Sequence, residues 1–176
     1  MRAAVTSFTE SFQAYGPDEG DYGGWQANLS AGDRNGGTAW WINLSRLDSD
    51  AHPLSYANKI VNTGTPGADG TPVTGALARR NQNGQDWWLL GPTNAIRTVQ
   101  DHANVKLAQD FGDGGRVSYT FGWWNNGANR EAATWLRDAA GEPIYSGSVN
   151  LGGRVFTIAP TEMSPSRNSL THMIHG

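Results

Sequence analysis

Residues 25–48 read Trp25-Gln26-Ala27-Asn28-Leu29-Ser30-Ala31-Gly32-Asp33-Arg34-Asn35-Gly36-Gly37-Thr38-Ala39-Trp40-Trp41-Ile42-Asn43-Leu44-Ser45-Arg46-Leu47-Asp48. Two runs alternate apolar with polar side chains, and Arg34-Asn35-Gly36-Gly37 joins them. In the first run Trp25, Ala27, Leu29 and Ala31 take one parity, and Gln26, Asn28, Ser30 and Gly32 take the other. In the second, Trp40, Ile42 and Leu44 oppose Trp41, Asn43 and Ser45. A period of two marks a strand with one apolar and one polar face. A short Asn/Gly-rich turn between two such strands makes a hairpin.

The same unit recurs downstream. Asp101–Phe111 gives Ala103, Val105 and Leu107 against Asn104, Lys106 and Ala108. Gly112-Asp113-Gly114-Gly115 leads into Arg116–Trp124, where Val117, Tyr119, Phe121 and Trp123 oppose Ser118, Thr120, Gly122 and Trp124. An impure first strand covers 5–15, with Phe8, Phe12 and Ala14 sharing a parity with Glu10. The final residues, 169–176, begin another strand. The pattern thus predicts strands at 5–15, 25–33, 38–48, 101–111, 116–124 and 169–176, separated by long polar loops at 49–98 and 125–168. Loops beyond about 12–15 residues with no structure of their own are uncommon in compact soluble domains. Outer-membrane barrels combine short periplasmic turns with long external loops. The predicted fold class is therefore all-β: an antiparallel meander of about six strands from a transmembrane β-barrel.

Composition agrees. The chain has 176 residues, 23 Gly and 8 Trp, and only 16% of its residues are charged. Its mean hydropathy of −0.53 suits a barrel, whose lipid-facing residues alternate with polar ones. No apolar run reaches the roughly 18 residues of a transmembrane helix. A net charge of −3 argues against a nucleic-acid partner held by a basic surface. Without cysteine there are no disulfides and no thiolate metal sites. Met1-Arg2-Ala3-Ala4-Val5-Thr6 contains no signal-peptide core, so the chain reads as a piece of a larger protein.

With the long loops outside, Trp25 and Trp123 are expected at the outer membrane interface and Trp40 at the inner one. Aromatic residues at both water boundaries are characteristic of such barrels. A soluble antiparallel sandwich shows the same alternation. A Trp-rich carbohydrate-binding β-sandwich and a small complete outer-membrane barrel therefore stand as alternatives, although a complete barrel needs at least about eight strands.

Phe8 to Ser49, with Tyr15-Gly16-Pro17-Asp18, Tyr22-Gly23-Gly24-Trp25 and Trp41-Ile42-Asn43-Leu44-Ser45-Arg46-Leu47-Asp48-Ser49, resembles the opening barrel strands of TonB-dependent outer-membrane receptors. Leu136-Arg137-Asp138-Ala139-Ala140-Gly141-Glu142-Pro143-Ile144-Tyr145-Ser146-Gly147 is similar to an extracellular loop of that family. The resemblance implies a transporter in the cell outer membrane for a scarce small-molecule ligand such as a ferric siderophore. Its surroundings would be outer-membrane lipid and lipopolysaccharide. Coupling to the TonB complex would run through a plug and TonB box that these residues do not show.

No enzyme, cofactor or metal is expected. There is no Gly-x-Ser-x-Gly elbow and no His-Glu-x-x-His. His52, His102, His172 and His175 read as solvated, and Asp18-Glu19-Asp21 and Asp48-Asp50 as rim turns. Asn129 to Gly141 reads as a short helix capped at both ends. The candidate ligand contacts are Arg79, Arg80, Trp87 and Trp88 in the first long loop. Guanidinium groups grip carboxylates bidentately, and indoles offer flat apolar contact to an iron chelate or an oligosaccharide. The competing expectation is that the two indoles pack the loop against the rim.

Overall fold

The computed structural model describes residues 1–13 and 15–175. In chain order the strands are β1 (Arg2–Phe12), β2 (Gly20–Asn35), β3 (Thr38–Asp50), β4 (Tyr56–Ile60), β5 (Thr65–Pro66), β6 (Thr71–Pro72) and β7 (Leu77–Arg80). There follow β8 (Asp86–Pro92), β9 (Ala95–Asp110), β10 (Arg116–Glu131), β11 (Gly147–Leu151), β12 (Arg154–Ile158) and β13 (Ser166–His175). Short 3-10 turns occupy Gly16–Asp18 and Val61–Thr63, and there is no α-helix among the described residues. The fold is all-β.

The long strands form one open sheet in the order β1-β2-β3-β9-β10-β13, antiparallel throughout. Register brings the apolar parities together. Leu29 lies opposite Leu44, Leu44 opposite Ala103, Ala103 opposite Trp123, and Trp123 opposite Met173. The next row, Asn28-Ser45-His102-Trp124-His172, lies on the polar face. A slip of one residue would exchange the two faces. In β1, Ala3 pairs with Leu29 and Val5 with Ala27, so these two join the apolar face. Phe8, Glu10 and Phe12 fall on the polar face, which accounts for the impure parity of that strand.

The strands are longer than the alternation suggested. Both β2 and β9 run for 16 residues, and β13 is a full strand from Ser166 paired along β10. The first strand occupies 2–12 rather than 5–15; Ala14 and Gly176, expected in the first and last strands, lie outside the described residues. His102 and His172 sit in β9 and β13 on either side of Trp124.

The two long connections are not structureless loops. They fold together into a cap made of two small sheets, β4-β8-β7 and β5-β12-β11-β6. Leu90, Leu136, Val149, Leu151, Phe156, Ile158, Met163 and Ala57 form its core. Backbone bonds stitch one connection to the other: Trp135 N donates to Leu90 O (2.8 Å), Ala133 N to Pro92 O (3.0 Å), and Thr74 and Arg137 exchange a pair (2.9 and 3.0 Å). Gly152 and Gly153, both at positive φ (60° and 78°), make the two-residue turn of the β11–β12 hairpin.

The helix expected at 129–141 does not form. Asn129 to Glu131 continue β10, where β9 claims their backbone groups and β13 pairs with Asn129. Farther on, the Asp138 carboxylate accepts from Ala140 N (2.8 Å) and Glu142 N (2.9 Å), offering those amides an alternative to helical bonds. Gly141, read as a helix stop, closes this turn at φ 86°.

Candidate functional site

β1 leaves the sheet at Phe12 and the chain returns as β2 at Gly20, while β3 ends at Asp50 and enters the cap through Ala51-His52-Pro53. These exits place aromatic rings from the sheet beside aromatic rings from the cap. Phe12 stacks on His52 (centroids 4.7 Å, planes 12° apart) and meets Tyr22 edge-on at 6.3 Å. Tyr15 packs edge-on against Tyr56 at 4.8 Å, and Tyr56 lies 5.5 Å from Trp135. Phe12, Tyr22 and Glu10 all belong to the polar face, so the cap closes over that side of the sheet.

Between these rings lies a cavity of about 480 Å³ lined by Phe12, Tyr15, His52, Pro53, Leu54, Ser55, Tyr56, Asn58, Trp87 and Leu89. That volume lies within the usual range of small-molecule sites, which are mostly apolar with a few fixed polar groups. Trp87 Nε1 is buried in this lining without a hydrogen-bond partner, while His52 Nδ1 has only the Glu10 carboxylate beside it and the Tyr56 hydroxyl only the Asp18 carboxylate. Buried polar groups in folded proteins are nearly always paired. No Lys or Arg lines the cavity. Acidic groups flank the lining: a Glu10 carboxylate oxygen lies 3.4 Å from His52 Nδ1, and Asp18 sits beside Tyr56.

Asp18 is more than a rim turn. It is half-buried between Tyr56 and Trp135, whose Nε1 lies 3.4 Å from its Oδ1, and its backbone carbonyl accepts from the Tyr22 hydroxyl at 2.9 Å. Desolvation raises its carboxyl above the ordinary range, and hydrogen bonding from Tyr56 and Trp135 offsets part of this. Desolvation and the Asp18 charge together push the Tyr56 hydroxyl upward, so it stays protonated and able to donate.

The four residues singled out from the sequence do not share one surface. Trp87 pairs across β8–β7 with Arg79, and Trp88 pairs with Ala78, so the indoles point to opposite faces. Trp87 lines the cavity, whereas Trp88 packs against the cap core. Arg79 Nη1 donates to Ala78 O (2.9 Å), and Arg80 pairs with Asp86 at 3.2 Å in solvent. Of the three expected interface aromatics, Trp40 shares a row with Leu107 and Tyr119 near the turn end, and Trp25 shares a row with Asp48, Val99 and Gly127 near the cap end. Trp123 lies midway between those rows on β10. Phe12, Tyr15, Tyr56, His52 and Trp135 were not identified as site residues from sequence. Their signal is a density of aromatic side chains at chain exits from strands, where alternation has stopped and packing against the sheet gives no reason for them.

No family model matches the chain, and neither the search of curated proteins nor the search of solved structures found a match.

Proposed function

We propose that this chain forms part of the wall and outer cap of a TonB-dependent outer-membrane receptor that takes up a scarce small-molecule ligand such as a ferric siderophore. One observation carries the reading. Among the described residues, the buried apolar side chains Ala57, Leu89, Leu90, Leu136, Val149, Leu151, Phe156, Ile158 and Met163 all belong to the cap, and the six-stranded sheet contributes Ala108 alone. Soluble sheets bury one face against another layer. Here Val5, Leu29, Leu44, Leu107, Val117, Tyr119 and Met173 stand exposed on one face. The opposite face carries Asn28, Ser30, Asn43, Asn104, Ser118 and Thr120, with Phe8, Trp41 and Ile174 among them. An apolar face against lipid and a polar face against a hydrated lumen satisfy both.

Topology supports the same reading. Tight turns occupy one end of the sheet and the folded cap the other, the asymmetry of outer-membrane barrels. With six strands, the edges β1 and β13 run antiparallel to each other, so the meander can be extended at either side in the same sense. A barrel abolishes edges only when closed, so further strands would complete the wall. In this arrangement the cap sits over the lumen mouth and its cavity faces arriving ligand. Coupling to TonB would run through a plug and TonB box, which are not among these residues.

The absence of native cysteine makes the test direct. Single cysteines at Leu44 and Asn43, adjacent residues of opposite parity, are labelled with an environment-sensitive fluorophore in lipid vesicles. Blue-shifted emission quenched by lipid-borne quenchers at 44, with water-like emission at 43, is the expected result. Water-like emission at both positions, with a monodisperse chain in detergent-free buffer, would instead establish a soluble β-protein.

A further inference from the structure

We infer that the cavity between Phe12, Tyr15, His52, Tyr56 and Trp87 is a binding site for a neutral, hydroxyl-rich ring: a sugar residue. This rests on the cap being the ligand-admitting end of the molecule and names the chemistry that end selects. The walls set the choice. Trp87 Nε1 is a donor without a partner, the Tyr56 hydroxyl has only the Asp18 carboxylate beside it, and His52 Nδ1 has only the Glu10 carboxylate 3.4 Å away. Unpaired donors require acceptor lone pairs, which an ammonium ion lacks. The carboxylates of Glu10 and Asp18, with no Lys or Arg in the lining, oppose an anion such as a carboxylate or phosphate. A sugar hydroxyl both accepts and donates, and the C–H face of a pyranose packs on an aromatic ring. A single hydroxylated ring can therefore satisfy the indole, the phenol and the imidazole together while lying against an apolar wall.

The cavity is also rigidly built. Phe12 holds the His52 ring parallel to its own, and Tyr15 and Trp135 hold Tyr56 from two sides. Tyr56 and Trp87 lie on β4 and β8, which pair within one small sheet. Groups fixed before binding lose little conformational freedom when the ligand arrives.

The test uses the full chain in detergent micelles, with tryptophan fluorescence and calorimetry as readouts and a panel of soluble neutral oligosaccharides as probes. An oligogalacturonate and tetramethylammonium serve as anionic and cationic comparisons. Tyr56→Phe removes the phenol hydroxyl beside Asp18, and Trp87→Phe removes the indole N–H with part of the ring. Both side chains are half-exposed at the cavity, so far-ultraviolet circular dichroism should match the parent. Each variant is expected to bind the neutral glycan roughly five- to tenfold more weakly, the worth of one hydrogen bond. Trp124→Phe, on the sheet away from the cavity, is expected to leave affinity unchanged. Binding of the anion or the cation alone, binding of no glycan, or glycan binding indifferent to both cavity variants would each overturn the assignment. The fluorophore experiment at residues 43 and 44 reads membrane insertion separately. A chain that inserts yet binds no glycan refutes the sugar site alone, and one that binds glycan without inserting refutes the wall alone.

Discussion

Leu136→Ala tests whether the two excursions are one folding unit. Leu136 is fully buried (0% exposed), reaches the cap core from the second excursion, and packs there with Leu90 from the first. Truncating a buried leucine costs about 2–5 kcal/mol through lost transfer energy and the residual cavity. Leu136 sits between backbone bonds at Trp135 N→Leu90 O and Arg137 N→Thr74 O, which limit how far the site can collapse. A cost of about 3 kcal/mol is therefore expected, raising the open population of the cap about 150-fold. Amide hydrogen exchange reads this element by element. The amides of β4 and β8 should lose protection by the same factor as those of β11 and β12, although Leu136 is covalently part of only the second excursion. The ladders joining β2, β3, β9 and β10 should keep theirs. Loss confined to residues 132–165, or exchange unchanged throughout, would refute a shared core.

Gly91→Ala should destabilise the cap by roughly 3–4 kcal/mol in denaturant titration: its φ is 147°, and a Cβ there would lie 2.1 Å from the Ala133 carbonyl oxygen, breaking the stitch between the excursions. Asp18→Asn should flatten the pH dependence of stability. Because the native carboxyl is raised above 3.8, the native state holds the proton more tightly than the unfolded chain; the resulting stability is present below about pH 3.8 and is lost as pH rises through the native value, which urea midpoints between pH 3 and 7 would reveal. Leu44→Arg should lower stability in vesicles by about 2–4 kcal/mol while Asn43→Arg has little effect, and equal effects would remove the distinction between a lipid and a lumen face.

The large sheet was legible because a two-residue period survives any tertiary context that buries one face. Residues 25–48 carry both strands and their turn without interruption. The cap was illegible for two different reasons. Its β11–β12 hairpin is locally encoded, since Val149 and Leu151 precede Gly152-Gly153 and Phe156 and Ile158 follow, but each strand is only five residues long and sits within a long polar stretch. The stitch of residues 132–137 onto Gly75, Leu90 and Pro92 has no local signature, because the partners lie in another excursion and the pairing is nearly all backbone. The site divided in the same way. Trp87 was found from side-chain chemistry, but only the fold separates it from Trp88 and joins it to Phe12 across the chain.

Arg46 is the residue hardest to place in a membrane wall. From the Trp40 row to the Trp25 row is eight residues of β2, Asp33 to Trp25, or about 27 Å along the strand at ~3.4 Å per residue. At the ~45° tilt of a spanning strand this is about 19 Å of depth, within the roughly 25 Å apolar band of such barrels. Arg46, on the apolar face between Ala27 and Asp101, then lies inside the outer margin of the lipid with its guanidinium 3.2 Å from the Asp101 carboxylate. A pair exposed to water contributes about 0–1 kcal/mol and is screened by salt. One at the edge of lipid must remain paired, since the lone cation would have to reach headgroups or water. Asp101→Ala should therefore cost about 1–2 kcal/mol in vesicle unfolding, and 1 M salt should barely change that cost. Arg46→Ala with Asp101→Ala should recover most of the loss. If the single substitution costs less than about 0.5 kcal/mol and high salt erases it, the face around Arg46 meets water, and the apolar band below it is too short to be the outside of a membrane wall.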